Sequence, residues 1–491
     1  MPAAMPIAIS KTKLLSFLQC PKRLWLEQYS PELEDESAFD EAAIETGRVV
    51  GRVAREVYGK SGGYLINHDR GLRAAIAETE ELLAAGGNEP IFEATFDYDG
   101  LTVQVDVLDR SGAAPQVIEV KSSTSAKDHH IADCAIQTWT MQQLGIVPAG
   151  TRLALINNEF SYAGDGDYSG LFHEIDLTPD LDGPVGVTAG MVEGARETLD
   201  SLDEPERDIG KHCQTPYPCP FFEYCVPEQG EYPITGLGGR KEALYELMLE
   251  GFSDVRDVPE ERLANATQQR IWQQARAGEA YLSPDLKPLI DALAYPRYFL
   301  DFETIAFAVP IWADTRPYQA LPFQWSCHID AGDGDLQHRE FLDLSGEPPM
   351  RQVAEALIAE LGTEGPIVVY TPYEKRVLNE LAERYPDLGP QLSALIERLV
   401  DLHPIAKKHY YHPDMHGSWS IKAVLPTIDA SIDYDQLPEV REGEAAQSAY
   451  LEAIHPDTSA DRQTALRDAL IAYCKLDTLA LVKLVEFFGR Q

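Results

Sequence analysis

Positive charge is scarce in this sequence. Lys and Arg together number 41 against 80 Asp and Glu, a formal net charge of −39 over 491 residues. That deficit excludes a broad basic face of the kind that coats nucleic acid without regard to sequence. It does not exclude a nuclease, because an acidic cleft repels phosphate only until a divalent cation sits in it. The bland reading of the charge is a surface adapted for solubility. Long apolar runs are missing too, none approaching the roughly 20 residues that span a bilayer. The N-terminal stretch has no compact apolar block followed by a small-residue cleavage site, so a cytoplasmic protein is expected. Cysteine is sparse, odd in number at seven, and unevenly placed. This argues against a disulfide framework and for metal binding. "GLGGRKE" near residue 236 lacks the x4-G-K-[ST] pattern of a phosphate loop, which argues against an ATP-driven motor. No internal repeat and no low-complexity tract is present.

What remains is the composition of a soluble globular chain, 44% hydrophobic and 25% charged, too long for one ordinary core. Residues 10–60 carry helical periodicity, with Pro21 suited to a first helical turn. Residues 91–121 alternate with period two and break at Asp99-Gly100 and Ser111-Gly112, which predicts a three-stranded meander. A helix ("ADCAIQTWTMQQLGI") and a strand ("TRLALINN") follow. Residues 201–235 are rich in Pro, Glu and Cys, and 236–292 read as polar helices, faintly like a helix-hairpin-helix. From Tyr298 the order becomes three strands, helix, strand, helices, ending in a long helix. The expectation is an α/β protein of three parts: residues 1–230, a helical linker 231–294, and residues 295–491.

Chemistry-bearing residues fall into three groups. Asp106 lies in one predicted strand, and Glu119 and Lys121 in the next. Two positions apart on a strand, Glu119 and Lys121 share a face, and hairpin pairing brings Asp106 beside them. Two carboxylates suit Mg²⁺ or Mn²⁺, and a lysine can assist water and stabilise charge building on a phosphate. Gln137 follows on the next helix. In the second group, "FLDFET" sets Asp301 and Glu303 on one strand face. Tyr473 and Asp477 stand four apart on a helix and so share its face. Acids buried in so apolar a strand are costly without a cation, and converging carboxylates of this kind hold two divalent ions. The third group is Cys20 with Cys213, Cys219 and Cys225 in "HCQTPYPCPFFEYC". Four thiolates suit a [4Fe–4S] cluster or zinc. Gaps of five residues are unlike the C-x2-C knuckles of zinc sites. Cys134, Cys327 and Cys474 sit in apolar patterns and read as small buried residues. His403, His409, His412 and His416 are irregularly spaced in a polar stretch and read as solvated or substrate-facing.

The order "FLQCPKRLWL", "QVDVLD", "IEVKSS", "AIQTWTMQQLG" over residues 10–228 resembles the RecB-type PD-(D/E)xK nucleases that carry an iron–sulfur cluster, such as the CRISPR-associated adaptation exonucleases and the AddB nuclease domain. The resemblance implies catalytic roles for Asp106, Glu119 and Lys121, with Gln137 in support, and a cluster held by Cys20, Cys213, Cys219 and Cys225. That family often has a metal-binding His in a G-x3-H context on an early helix. Here Gly51 follows Gly47 instead, and Glu93 is the candidate substitute acid. Residues 295–491 resemble the DnaQ-like (DEDD) 3′–5′ exonucleases of the Y-x3-D subtype, with a ribonuclease H-like sheet. Asp301, Glu303, Tyr473 and Asp477 match its first and third motifs. Glu374 stands where the second motif has Asp, and Asp401, in a stretch with Ser418 and Lys422, is the alternative. Taken together the halves resemble a bacterial family joining the two domains through helices. The resemblance implies a metal-dependent nuclease on single-stranded or end-containing DNA. The alternatives are an RNA-processing exonuclease and a nucleic-acid-binding protein with one silent nuclease domain.

Overall fold

In the computed structural model, which describes residues 8–35, 37, 41–432 and 434–490, the chain is mixed α/β and divides into two compact units. One comprises Met1–Val226 with Phe307–Tyr318, the other Pro227–Ala306 with Gln319–Gln491. No helix among the described residues is long and apolar enough to cross a membrane.

The first unit is built on a seven-stranded mixed sheet. Its path runs Tyr64–Leu65, Ile91–Tyr98, Leu101–Asp109, Gln116–Lys121, Gly150–Ile156, Phe172–Asp176, with Ile9–Ser10 parallel to Leu101–Asp109. The first hairpin turns on Asp99 (φ 51°) and Gly100 (φ 81°). Two successive positive φ values are the two-residue turn whose twist suits paired strands, and Asp-Gly is its favoured sequence. The helix Asp128–Gln143 then crosses over to make Gln116–Lys121 and Gly150–Ile156 parallel, with Glu119 opposite Leu153. Both sheet faces are covered. Ile91, Ala94, Phe96, Val103 and Val105 pack with Leu14, Leu24, Ile136 and Met141. On the other face Phe92, Val107, Ile118 and Ala154 pack with Tyr58. This coverage is why the strand Ile91–Tyr98 is almost wholly buried although its sequence alternates. At about 1.5–3 kcal/mol for each fully buried large side chain, these layers dominate the unit's stability.

The segment Phe307–Tyr318 is part of this unit. Ala308 and Val309 pack with Val50, Val53, Ile156 and Leu171. Its backbone bonds to the loop between Gly150–Ile156 and Phe172–Asp176, Tyr162 N donating to Thr315 O at 3.0 Å and Asp314 N to Tyr162 O at 2.8 Å.

The second unit holds a five-stranded sheet in the order Leu336–Leu342, Leu321–Asp330, Arg297–Ile305, Ile367–Val369, Leu399–Asp401. Leu321–Asp330 runs antiparallel to both of its neighbours, and the last two strands run parallel to Arg297–Ile305. The helix Ala460–Gly489 packs on the central strands and buries Leu466, Leu470, Tyr473, Asp477, Leu481 and Phe488, one stripe of a 3.6-residue period. Ser459 caps it by accepting from Arg462 N. Residues 227–296 form short helices and a strand, Tyr281–Leu282, that pairs with Tyr410–Tyr411.

Candidate metal centres

In the first unit the antiparallel register sets Val107 opposite Ile118 and Leu108 opposite Val117. Continued by one residue, it sets Asp106 opposite Glu119. There the ladder gives way to a side chain: Asp106 Oδ2 accepts from Val120 N at 2.7 Å. Lys121 Nζ donates to Glu119 Oε1 at 2.6 Å, as the shared strand face requires, and to Asp133 Oδ2 at 2.6 Å. Gln137 Nε2 donates to Glu119 Oε2 at 2.6 Å and to Asp133 Oδ1 at 3.0 Å, while its own Oε1 is buried without a partner.

Sequence reasoning missed two members of this site. Asp133, one turn before Gln137 on the same helix face, is 3% exposed. Lys11, in the first turn of the helix Lys11–Gln19, places Nζ 2.7 Å from Asp133 Oδ1 and 3.3 Å from Glu119 Oε1. The Asp133/Gln137 spacing of four was a legible signal; nothing in the local sequence marked Lys11. Three acids and two lysines thus form one nearly balanced cluster. Burial pushes the Glu119 carboxyl up to about 7, with Asp106 and Asp133 adding to it. Asp133 is also penalised by burial, yet Lys11 and Lys121 outweigh that and hold it well below the usual carboxylate range.

Asp106 and Lys121 open onto a cleft of about 480 Å³ that Gly47, Gly51, Arg55 and Glu93 also line. Glu93 pairs with Arg55 at 3.5 Å, and burial raises its pKa. A Cβ added at Gly51 would meet only the end of Arg55, at 3.9 Å, and one at Gly47 would meet nothing within 4 Å. The cleft therefore has room for a larger side chain there.

Cys20 sits in the extended junction between the helices Lys11–Gln19 and Pro21–Tyr29. It lines one small cavity with Cys213, Cys219 and Cys225, alongside Lys22, Arg23 and Arg207. All four thiols are free. Gln19 Nε2 ties the junction to the cysteine loop, donating to His212 O and Tyr217 O, both at 2.8 Å. Within the loop Cys219 N donates to Cys213 O at 2.8 Å. Burial pushes the Cys219 thiol up to about 11 and raises Cys213 and Cys225 as well.

The second unit gathers Asp301 and Glu303 from the central strand, Asp477 and Tyr473 from the long helix, and Glu374 from the first turn of Tyr373–Arg384. Among the described residues none of these four acids has an ion-pair partner within 4 Å. Burial first, and the neighbouring carboxylates next, drive Asp301 well above the usual range. Burial and Asp477 do the same to Glu303. Burial lifts Asp477 to about 6 and Glu374 to about 7. Asp477 Oδ1 accepts from Tyr434 Oη at 2.6 Å, and Tyr473 also bonds to this carboxylate. Tyr434 was not foreseen. Lys422 is the cation whose field reaches Glu303 and Asp477; its Nζ lies 5.2 Å from the Tyr434 ring and 5.4 Å from the Tyr473 ring, and donates to Arg441 O at 2.6 Å.

Glu374, rather than Asp401, adjoins Asp301. Asp401 caps a helix, its Oδ1 accepting from His403 N at 2.9 Å and from Thr371 N at 3.0 Å. Ser418 lies outside the cluster and bonds to Ser420 Oγ at 3.3 Å. The histidines do separate work. His412 accepts from Asp414 N at 3.2 Å, His416 adopts φ 44°, and His409 is 5% exposed, which corrects the solvated reading for that residue. Cys474 is buried as expected, but beside the acids: its Sγ lies 3.7 Å from Asp301 Oδ2. Asp301, Glu303 and Cys474 are the group among the described residues whose donor atoms lie within 4.8 Å of one another. No three thiols of the cysteine cavity form such a group.

A family model described as a domain of unknown function (DUF2779) matches residues 298–420. No curated protein matches the chain. One solved structure, described as the crystal structure of SSO0001, is similar at 18% identity over 44% of this chain and 85% of that one, with a TM-score of 0.26.

Proposed function

We propose that the protein is a metal-dependent nuclease that hydrolyses phosphodiester bonds, acting on single-stranded or end-containing DNA. The observation that carries this reading is the convergence of Glu303, Glu374 and Asp477, all buried, on the partly buried Asp301, with no ion pair to any of the four among the described residues. Uncompensated buried charge of this density is costly unless cations enter. The sheet order around it, three antiparallel strands and two parallel ones with an acid pair on the central strand, supports a ribonuclease H-like core. In the first unit the meander, crossover helix and Asp106–Glu119–Lys121 grouping support a PD-(D/E)xK core.

In the second unit Asp301, Glu303 and Asp477 would hold two divalent ions, and Glu374 would close the set. Such ions, when bound, activate water and neutralise charge on the phosphate. The chain's own contribution is alignment. Tyr434 fixes Asp477 by hydrogen bonding, and Tyr473 stands one helical turn earlier on the same face, placed to orient water. In the first unit Asp106 and Glu119 would hold Mg²⁺ or Mn²⁺, with Gln137 fixing the Glu119 carboxylate. Lys121 is held beside them to stabilise charge on a phosphate oxygen.

Cys20, Cys213, Cys219 and Cys225 fit a [4Fe–4S] cluster. Tetrahedral zinc bonds of about 2.3 Å would draw the sulfurs to about 3.8 Å apart. An iron–sulfur cluster interposes its own atoms between the sulfurs and requires no such close approach. Its role would be a staple between the N-terminal helices and a loop about two hundred residues on.

The test uses Lys121→Ala and Asp301→Ala, singly and together, on end-labelled single strands of DNA and RNA with Mg²⁺ or Mn²⁺. Loss of cleavage in one or both single variants is expected. Cleavage unchanged in the double variant rejects the reading. A second reading has support in the ion pairs of the first site. Lys11 and Lys121 are already spent on Asp133 and Glu119, which fits a unit that grips DNA without cutting it. Strand binding that survives Lys121→Ala, with all cleavage lost in Asp301→Ala, would favour it.

A further inference from the structure

We propose that Cys474 is a ligand of the second-unit centre, and that this centre takes a thiophilic first-row divalent ion of the zinc class in preference to Mg²⁺. The inference deepens the nuclease reading of that site and rests on it. Cys474 is 0% exposed and projects from the long helix between Tyr473 and Asp477 onto the central strand. Its Sγ lies 3.7 Å from Asp301 Oδ2, and within 4.8 Å of donor oxygens of both Asp301 and Glu303. A metal bonded to sulfur at about 2.3 Å and to oxygen at about 2.0 Å in a tetrahedral arrangement sets those atoms about 3.5 Å apart. The observed separation needs only a small contraction.

A second observation points independently to a ligand. Glu374 is 3% exposed and hydrogen-bonds with Asp301, while its Oε2 is buried without a partner. A buried acceptor left without a partner is costly, and an ion held at Asp301 would supply one to its neighbour Glu374. The donor set is then mixed, sulfur with carboxylate oxygen. Mg²⁺ takes hard oxygens in near-octahedral order and gains nothing from sulfur. Thiolate favours zinc and, in the Irving–Williams order, Co²⁺ over Mn²⁺. On binding, the Cys474 S–H bond breaks, the sulfur–metal bond forms, and the proton leaves to solvent. The low-dielectric surroundings make this favourable only with the cation present.

The test is Co²⁺ titration of the full-length protein, purified anaerobically, followed by absorption. Subtracting the Cys474→Ser spectrum from the wild-type spectrum cancels any contribution of the other cysteines. A thiolate-to-cobalt charge-transfer band reaching one equivalent in the difference is expected. Calorimetry should show at least tenfold weaker Zn²⁺ binding in Cys474→Ser and unchanged Mg²⁺ binding. Cys474→Ala must give the same two results, which covers a misfolded serine variant. Binding of Co²⁺ without the band, or equal Zn²⁺ affinity in all three proteins, overturns the ligand assignment and leaves a carboxylate centre standing. If no divalent ion binds and Asp301→Asn matches wild type, the metal reading itself falls.

Discussion

Lys11 Nζ sits 2.7 Å from Asp133 Oδ1, joining the helix Lys11–Gln19 to the helix that follows the strand carrying Glu119 and Lys121. Neither residue belongs to the Asp–Glu–Lys grouping, yet both touch Glu119 or its lysine. The expected consequence is mechanical as well as chemical. Asp133→Ala removes the partner at 2.7 Å from Lys11 and at 2.6 Å from Lys121 and leaves both lysines sharing Glu119, which breaks largely buried pairs, a change that costs about 3–5 kcal/mol. Chemical unfolding of the metal-free protein measures it, and a loss below 1 kcal/mol would mean the pairs are ornamental.

Lys11→Ala and Lys121→Ala should separate. Both lose ion pairs to Glu119 and Asp133, but only Lys121 also lines the cleft shared with Asp106. Removing one positioned charge-stabilising group costs about 10²–10³ in rate. Single-turnover cleavage attributable to the first site should fall that far in Lys121→Ala and by less in Lys11→Ala. Equal losses would place both amines at the phosphate.

Gly51→His should strengthen divalent-ion binding in the 480 Å³ cleft, because the position faces open space next to Asp106 and Glu93. The comparison is Mn²⁺ calorimetry in an Asp301→Asn background, which silences the second centre. A tenfold gain, about 1.4 kcal/mol, is expected. No change would show that the empty position does not face the ion.

Stability should fall as pH rises when metals are withheld. Glu119 and Glu374, each near 7, and Asp477, near 6, are raised by burial above the values of about 4 that they have in the unfolded chain. The folded state therefore binds more protons than the unfolded one between pH 4 and 7. This stability is complete below about pH 4 and is lost as pH climbs through 6 to 7. Melting in chelator should be lower at pH 8 than at pH 5, and Zn²⁺ or Mn²⁺ should restore it. A chelator-insensitive rise with pH would contradict the uncompensated carboxylates.

Cys219→Ser should remove bound iron and sulfide together and lower the melting temperature by several degrees. Tying chain ends some 190 residues apart is worth about 3–5 kcal/mol when a covalent link does it. Stoichiometric zinc and no sulfide in the wild type would instead assign the cavity to zinc.

Much of the site was legible because its determinants are local. Spacing of two put Glu119 and Lys121 on one face, and spacing of four aligned Tyr473 with Asp477. The short connection with Ser111-Gly112 between Leu101–Asp109 and Gln116–Lys121 marked the hairpin whose register carries Asp106 toward Glu119. What escaped notice depends on distant contacts. Lys11 and Tyr434 reach their sites from segments with no pattern of their own, and Cys474 looks like any small apolar residue in a helix. The helices Leu72–Ala85, Asp182–Asp200 and Gly443–Ile454 were also not anticipated. They are rich in Ala and Gly, and their buried stripes are narrow, so hydrophobic contrast between faces is faint. Asp401 stood as the alternative to Glu374 because a helix cap and a metal ligand ask for the same residue at the same kind of place.

The excursion Phe307–Tyr318 has a bearing on how the protein could be taken apart. It is encoded between two strands of the second sheet, yet its Ala308 and Val309 complete an apolar layer around Val50 and Ile156 in the first unit. The backbone thus passes from one unit to the other three times. Cutting the gene after residue 226 would yield an N-terminal fragment missing part of its own interior and a C-terminal fragment carrying an unsheltered apolar loop. A single exchange at that point would carry neither unit whole, and a protease nick between Val226 and Pro227 should leave the C-terminal piece still anchored in the first unit through Ala308 and Val309.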